Sequence, residues 1–305
     1  MAIVNLIAKI AERMPYTVLK TRYFKHFHRW PRLKGDIARF DNFVQYVMRN
    51  GLDNRDNVRW ATLADKFAVR NEVERLIGAE HLVPLLGAWE NPENIDFDAL
   101  PNSFILKTNN GCGTNIFVHD MVKANRNEII AKLKKDLAFP YPQLTGQLHY
   151  ALIKPMVIAE RIMVQDGGHK SLTDYKIHCV NGRPYTLYVF TDRDETNHFD
   201  FNMKAYTASW REMPPGASPA DVENNPEAPN RPEWLDDMLE MASKLSQGEE
   251  YVRVDFYRTE GKILFGEMTL TPDTGFHPCY APYRKAMKYL LDKIVEQRQN
   301  NTSSH

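Results

Sequence analysis

Two strand-like runs near the C-terminal end constrain this chain more than any other feature. The runs Tyr251–Tyr257 and Lys262–Leu270, joined by a glycine-containing turn, predict an antiparallel hairpin. Side chains two apart on a strand share a face, so Glu267 and Thr269 point the same way, and the hairpin brings Asp255 beside them. Facing acids repel each other unless positive charge lies between them. The hairpin is therefore a candidate cation site.

Two interpretations of this acidic pair remain open from the residues alone. Magnesium prefers hard oxygen ligands and commonly bridges carboxylates to nucleotide phosphates. The alternative is a solvated hairpin face on which each acid has its own Lys or Arg partner.

Composition excludes several classes of protein. A chain of 305 residues predicts roughly two domains, and a net charge of zero gives no sign of nucleic-acid binding. Cys112, Cys179 and Cys279 are widely spaced and odd in number, which fits neither a disulfide framework nor a zinc site. No apolar run approaches the roughly 18 residues of a membrane span, and no signal peptide is apparent. We expect a cytoplasmic protein.

The first 40 residues are basic and rich in aromatic residues, and Ile3, Leu6, Ile7 and Ile10 predict a short amphipathic helix. Such a segment can lie on an anionic membrane surface, at the inner face of the membrane, or meet an anionic glycan. Alternatively, it packs on the domain and shows a solvated basic face. The basic residues are Lys9, Arg13, Lys20, Arg22, Lys25, Arg29, Arg32, Lys34 and Arg39, opposed by Glu12 and Asp36.

The remaining pattern predicts an α+β fold with a largely antiparallel sheet. The Asn181-Gly182 pair is the favoured two-residue turn of a β-hairpin. Helices are predicted over residues 36–49, 62–76, 126–138, 233–246 and 284–299, with 300–305 frayed. Strands are predicted over residues 103–107, 115–119, 157–164, 171–180 and 183–191.

Three features are candidates for phosphate binding. Lys107 ends a strand before a glycine-containing turn, where backbone N–H groups can approach phosphate oxygens, although the Walker A motif is absent. Glu160 lies within an apolar strand, and Asp174, Lys176 and Arg193 can meet at one end of a hairpin. Taken singly, the lysine with its turn is more typical of a plain β-hairpin turn, and the Asp174, Lys176 and Arg193 cluster of a surface ion-pair cluster. The alternative for Glu160 is an exposed position on an edge strand.

Their order along the chain resembles the ATP-grasp superfamily. The order is as follows: Lys107 with its glycine loop, Ala159-Glu160-Arg161-Ile162, Asp174-x-Lys176, Arg193, Arg253-x-Asp255 and Glu267-x-Thr269. The motifs Leu63-Ala-Asp65-Lys66, Leu82-Val-Pro84, Asp174-Tyr-Lys176 and Phe265-Gly-Glu267 further resemble the teichuronopeptide-biosynthesis-type ATP-grasp family, which is found with cell-surface polysaccharide genes. The match runs from about residue 31 to residue 283.

The resemblance implies a fold in which two α+β subdomains clamp ATP, and it implies roles for individual residues. Lys176 and Arg193 would be catalytic, with Arg193 steadying charge on the transferring phosphoryl group. Magnesium would be held by Asp255, Glu267 and Thr269, the last replacing a commoner Asn. ATP would be held by Lys107, by the loop Asn110, Gly111, Cys112, Gly113 and Thr114, by the hinge Glu160, Arg161, Ile162 and Met163, and by Asp174 and Lys176.

The implied activity is that of a carboxylate–amine ligase that forms an amide through an acyl phosphate. The carboxylate would be a uronic acid of a surface polysaccharide or its precursor, and the amine an amino acid, bound near residues 196–210 with His198 and Trp210. Residues 1–100 would form the basic arm and helical region, 101–156 the subdomain with the glycine loop, and 157–300 the subdomain with the metal site. A phosphotransferase, a glycosyltransferase and a non-enzymatic nucleotide-binding or membrane-docking module remain alternatives.

Overall fold

The computed structural model describes residues 6, 9–10, 13–164, 171–194, 200–224, 231–276 and 278–303. The helices of this part of the chain are α1 Pro15–Phe27, α2 Phe43–Asp53, α3 Val58–Ala64, α4 Val69–Ile77, α5 Arg126–Leu137, α6 Tyr141–Thr145, α7 Pro219–Val222, α8 Leu235–Leu245 and α9 Arg284–Ser303. The strands are β1 Leu85–Trp89, β2 Phe104–Thr108, β3 Ile116–Val118, β4 Val157–Glu160, β5 Asp174–Val180, β6 Arg183–Thr191, β7 Asn202–Thr207, β8 Glu212–Met213, β9 Tyr251–Thr259 and β10 Lys262–Thr269. The predicted α+β class is confirmed.

The smaller sheet has four strands in the order β1-β4-β2-β3, and its paired strands are antiparallel. Its apolar face packs against α5, where Ile129 and Leu133 meet Phe104, Leu106 and Val157. Strand β1 comes from the predicted unit 1–100, β2 and β3 come from 101–156, and β4 comes from 157–300. One sheet therefore combines all three units, and the domain boundaries at 100/101 and 156/157 stay a prediction.

The larger sheet has six strands in the order β10-β9-β5-β6-β7-β8, again with antiparallel neighbours. Helices cover both faces. One face packs on α2 and α9, and the other packs on α3, α4 and α8. The central strands β5 and β9 are therefore buried on both sides, and polar side chains on them need partners within the protein.

The two predicted hairpins are confirmed. Asn181 and Gly182 have φ angles of 46° and 76°, as the tight turn between β5 and β6 requires. Glu260 and Gly261, at 52° and 73°, turn the chain between β9 and β10.

Several predicted bounds differ from the structure for local reasons. The helix predicted over 36–49 begins at Phe43, because the side chain of Asn42 caps it by accepting the Gln45 N–H. The helix predicted over 62–76 is split into α3 and α4, since Asp65 leaves the helical conformation. The strand predicted over 157–164 ends at Glu160, and α9 continues through residues 300–303. Sequence patterns did not indicate α1, β1 or β7.

A buried histidine should make the stability of the fold depend on pH. His149 is 0% exposed beside Trp60, and neither of its ring nitrogens has a hydrogen-bond partner in the described part of the chain. Burial lowers the pKa of His149 to about 4. At pH values between about 4 and 6.5, His149 binds a proton in the unfolded chain but not in the folded one. Stability is therefore lost as pH falls, by about 2 kcal/mol at pH 5.

The variant His149→Phe removes this titration, so the free energy of unfolding should change less between pH 7 and pH 5 than in the wild type. Urea unfolding at both pH values measures the difference. His119→Phe, at an exposed histidine, is the control and should keep the wild-type difference. An equal pH dependence in His149→Phe and the wild type would contradict this account.

Candidate active site

The acidic residues of the C-terminal hairpin lie opposite each other, as the sequence predicts. Glu267 pairs with Asp255 across β9 and β10, and Asp255 pairs with Lys176 across β9 and β5. A β-bulge at Gly266 sets this register; a Cβ there would lie only 3.1 Å from the backbone oxygen of Asp255. The bulge thus places one row of charged side chains across three adjacent strands.

The positive charge between the two acids is supplied by Arg253. Its Nε and one terminal nitrogen each donate to Asp255 at 2.6 Å. The same terminal nitrogen donates to Glu267 at 2.7 Å and to Thr269 Oγ1 at 3.0 Å. Arg253 is 8% exposed and Asp255 is 1% exposed, so this part of the hairpin is buried and not solvated. The basic partners that the alternative expected for the acids are present. The three predicted metal ligands do converge on one cationic group.

Arg253 was not among the predicted site residues. The signal was present, because Arg253 stands two residues before Asp255 and therefore shares its face of β9. The guanidinium fork then matches the carboxylate in a bidentate way.

Lys176 and Arg193 meet at Asp174, as their positions in the hairpin predict. Lys176 Nζ lies 2.7 Å from Asp174 Oδ2 and is also paired with Asp255. Arg193 lies 3.7 Å from the same oxygen of Asp174 and stacks over the ring of Phe201. Asp174 Oδ1 is buried and has no hydrogen-bond partner among the described residues. This oxygen is available to accept a hydrogen bond from a ligand.

The two acids respond differently to this environment. Burial raises the pKa of Asp255 to about 6, because it outweighs the opposing charges of Arg253 and Lys176. Burial acts in the same direction on Glu267, but Arg253, Lys66 and Lys176 together prevail and lower its pKa to about 2. Glu267 is therefore an anion at neutral pH.

The predicted phosphate-binding lysine is tied to the predicted hinge. Lys107 Nζ lies 2.7 Å from Glu160 Oε2, and Arg70 lies 3.2 Å from Glu160 Oε1. Arg70 also donates to the Val83 carbonyl at 2.9 Å. Glu160 is thus a buried acid shared by two cations, rather than the exposed residue of an edge strand.

The hinge residues connect the two sheets. The Arg161 N–H donates to the Pro84 carbonyl at 3.0 Å, and its guanidinium pairs with Glu260 at 2.6 Å. Ile162 and Met163 follow as half-buried residues in an irregular segment. The chain therefore leaves the small sheet and passes the β9–β10 turn of the large sheet.

The glycine loop is anchored at its start and its end. Asn109 is buried, and its side chain donates to Asp65 at 2.9 Å and accepts from the Met156 N–H at 2.7 Å. Thr108 Oγ1 donates to Thr114 Oγ1 at 2.9 Å, which closes the loop. Between these anchors lie Asn110, Gly111, Cys112 and Gly113.

Cys112 gives no sign of a nucleophilic thiol. The residue is exposed overall, but its sulfur accepts a hydrogen bond from Tyr141 at 3.3 Å. Burial raises the pKa of the Cys112 thiol and outweighs the hydrogen bond with Tyr141, which acts in the opposite direction. A reactive cysteine needs the opposite shift.

The predicted acceptor region is only partly described. His198 lies outside the described residues. Trp210 stacks on Tyr206 with ring centroids 4.2 Å apart, beyond the end of β7. In the described part of the chain, no three His, Cys, Asp or Glu side chains cluster as metal ligands, and no helix is long and apolar enough to cross a bilayer.

The sequence matches the TupA-like ATPgrasp family over residues 43–287. The chain belongs to this family. The match covers most of the 305 residues and includes both sheets. The predicted resemblance and the ATP-grasp fold are confirmed. A comparison with curated proteins found no match.

The chain is also similar to solved structures of ATP-grasp ligases, at low sequence identity. The ATP-grasp ligase PsnB complexed with minimal precursor is 12% identical, with a TM-score of 0.42, and the match covers 78% of this chain and 63% of that one. The D-alanine–D-alanine ligase from Bacillus anthracis complexed with ATP is 13% identical at a TM-score of 0.42, with 79% and 68% covered. The D-cycloserine synthetase DcsG is 13% identical at 0.42, with 78% and 71% covered. The chain thus spans about two thirds of these proteins, and the likeness is too distant to specify a substrate.

The buried charges can be tested by a double-mutant cycle. Arg253→Met leaves Asp255 buried without its main partner, so the free energy of unfolding should fall by about 3–5 kcal/mol. Adding Asp255→Asn removes the stranded charge and should restore part of this loss. Urea unfolding at pH 7.5 measures Arg253→Met, Asp255→Asn and the double variant. Lys262→Met, at an exposed position on β10, is the control. Additive losses in the double variant would contradict the coupling.

Proposed function

We propose that this protein is an ATP-dependent carboxylate–amine ligase that forms an amide through an acyl phosphate. The observation that supports this most strongly is the row of cations beside two convergent acids. The chain that carries it belongs to a family of ATP-grasp proteins. Arg253 lies on β9 with Asp255, Lys176 lies opposite Asp255 on the neighbouring β5, and Arg193 follows β6. Lys107 lies near the end of β2 in the other sheet, before the glycine loop.

The chemistry requires such a row of cations. A substrate carboxylate and a terminal phosphate are both anions, so they approach each other only where positive charge is fixed in advance. Lys176 and Arg193 are held by Asp174 and would steady the oxygens of the transferring phosphoryl group. Arg253 adds a third positive charge beside them, and its fork binds Asp255, Glu267 and Thr269.

The donor set fits magnesium. Asp255, Glu267 and Thr269 direct oxygen atoms at one positive group, and hard oxygen ligands of this kind suit Mg²⁺. When bound, the ion would neutralise phosphate charge beside the row of cations. Asp255 and Glu267 would each then exchange a contact with Arg253 for one with the metal.

The residues around the glycine loop fit ATP. The loop Asn110–Thr114 would cover the triphosphate, Lys107 would meet the α- and β-phosphates, and Glu160–Met163 would hold adenine. The unpartnered Asp174 Oδ1 is suited to accept a ribose hydroxyl. Closure of the loop matters because water would hydrolyse an acyl phosphate.

For the substrates, we propose a uronic acid of a surface polysaccharide, or its precursor, and an amino acid. This assignment rests on the family resemblance to proteins found with cell-surface polysaccharide genes. The chain's zero net charge gives no support to a nucleic-acid partner.

An isotope experiment separates this reaction from its alternatives. A carboxylate substrate labelled with oxygen-18 should pass one label into the released phosphate, because its oxygen becomes the bridge to phosphorus. Hydroxylamine should trap the activated acyl group as a hydroxamate. Wild-type protein would be tested with panels of uronic acids and amino acids, with heat-denatured protein as the control.

Other outcomes would contradict the ligase. A phosphotransferase leaves phosphate on the acceptor and transfers no label, and a glycosyltransferase consumes a nucleotide sugar. Unlabelled phosphate together with an amide product would indicate another form of activation.

We further propose that the basic arm contacts an anionic membrane at its inner face or a lipid-linked glycan. Leu6, Ile10 and Met14 recur at a spacing of four residues and are 59%, 41% and 51% exposed. Phe24 and Trp30 form a second exposed apolar pair, stacked at 4.8 Å. Helix α1 itself packs on the domain, since Arg22 pairs with Asp273 at 3.1 Å. Apolar side chains interspersed with lysine and arginine are typical of membrane-surface segments.

Removal of the arm tests this contact. Deletion of residues 1–14 should weaken binding to vesicles that contain anionic lipid, and the wild-type binding should fade with added salt. Each basic residue near the surface contributes about 1 kcal/mol. Vesicle co-sedimentation measures the effect, with neutral vesicles as the control. If the wild type does not bind anionic vesicles at low salt, the arm has a structural role only.

A further inference from the structure

A small cavity lies between helix α1 and the segment that follows β10. It measures about 40 Å³ and is open to solvent. Helix α1 supplies His26 and Phe27 to its lining, and the later part of the chain supplies Phe276, Tyr280 and Arg284. None of these residues is among the proposed ligands of ATP or magnesium. Helix α1 also precedes residue 43, at which the family match begins. The cavity is therefore distinct in its lining from the proposed nucleotide site.

Aromatic rings form the walls of this cavity. The ring of His26 meets Phe27 edge to face at 4.7 Å and Phe276 at 5.9 Å, both measured between ring centroids. Tyr280 is buried, and its ring packs against His178 of β5 at 5.7 Å. Apolar walls of this kind favour a ligand whose body is itself apolar or ring-shaped.

The backbone beside the cavity is held in an unusual conformation. Asp273, Thr274 and Gly275 have φ angles of 42°, 50° and 80° in succession. Residues other than glycine rarely adopt such angles, and a run of them persists only where surrounding contacts fix it. Arg22 of α1 donates to both carboxylate oxygens of Asp273, at 3.1 and 3.2 Å. A Cβ on Gly275 would lie 3.0 Å from the Val44 Cα. This wall of the cavity is thus fixed against both α1 and α2.

One cation at the cavity has no acidic partner. Arg284 is exposed and lies 3.4 Å from His26 Nε2 and 5.2 Å over the ring of Phe27. Across the described residues, no carboxylate lies within ion-pair distance, 4.0 Å, of its guanidinium. The second arginine near the cavity, Arg22, is paired with Asp273. Burial, Arg284 and Arg22 lower the pKa of His26, which is therefore neutral at pH 7. The cavity thus presents one uncompensated positive charge.

We propose that this cavity binds a carboxylate carried on a ring, as in an acidic sugar or an aromatic acid. The planar guanidinium of Arg284 matches the two oxygens of a carboxylate. A single uncompensated cation matches a monoanion better than a phosphate monoester, which carries more negative charge at pH 7. The carboxylate occupies the cavity, and the ring of the ligand lies against Phe27 and Phe276. This site goes beyond the proposed nucleotide site, because it needs neither ATP nor magnesium.

Ligand-observed NMR in the absence of nucleotide tests the proposal, with D-glucuronate and benzoate as separate probes. The wild-type protein should bind at least one of them at millimolar concentration, and the tighter probe identifies the class of ligand. Arg284→Met should weaken that binding about tenfold or more, the loss expected for a charge-assisted hydrogen bond. Arg284→Lys keeps the charge but loses the planar fork, so it should recover only part of the affinity. Thermal unfolding shows that each variant is folded.

The matched control is Lys285→Met, which removes one exposed positive charge at the neighbouring position, outside the lining of the cavity. It should bind both probes as the wild type does. D-glucose and benzyl alcohol match the probes but lack the carboxylate, and they should bind more weakly, as should inorganic phosphate.

Three outcomes would overturn the proposal. The wild type could bind neither carboxylate at tens of millimolar, glucose, benzyl alcohol or phosphate could bind as tightly as the carboxylates, or Arg284→Met could bind as well as the wild type. Nucleotide plays no part in these titrations. A failure of the carboxylate site is therefore distinct from a failure of the proposed ATP site, which a separate titration with ATP and Mg²⁺ would reveal.

Discussion

The burial of charge in the middle of a sheet is the constraint on which the rest of this structure depends. Strands β5 and β9 are covered by helices on both faces, yet they carry Asp174, Lys176, Arg253 and Asp255. Unpaired charges in such a place are costly, and pairing offsets the cost only when the geometry is good. The strand order β10-β9-β5 provides that geometry by placing each acid beside a base on the neighbouring strand or two residues along its own strand. Clusters of buried charges of this kind are typical of functional sites.

A second set of contacts joins the small sheet to the large one. The α3–α4 segment contacts the glycine loop through Asp65 and Lys66 and the hinge through Arg70. Leu82 forms a parallel bridge with Phe265 of β10, and His81 Nδ1 lies 2.8 Å from the Ile263 carbonyl oxygen. The helical region thus contacts both sheets.

Local sequence signals predicted the parts of the fold that local forces determine. The β5–β6 hairpin followed from Asn181-Gly182, and the opposed acids of β9 and β10 followed from the period of two along a strand. Strand β1 was missed because Leu85–Trp89 contains a glycine and no polar alternation, so its pairing with β4 depends on tertiary contacts. The break between α3 and α4 was missed because Asp65 bonds to the backbone of the next residues in place of a continuing helix. Contacts such as Arg70 with Glu160, 90 residues apart, leave no local pattern at all.

We propose that the opposed acids and the glycine loop form one site for ATP and magnesium. A crystal structure with magnesium and a nonhydrolysable ATP analogue tests it most directly. We expect the triphosphate between the Asn110–Thr114 loop and β10, the metal on Asp255 and Glu267, and adenine beside Glu160–Met163. Density for the nucleotide elsewhere, or an absence of binding by calorimetry at millimolar analogue, would contradict the claim.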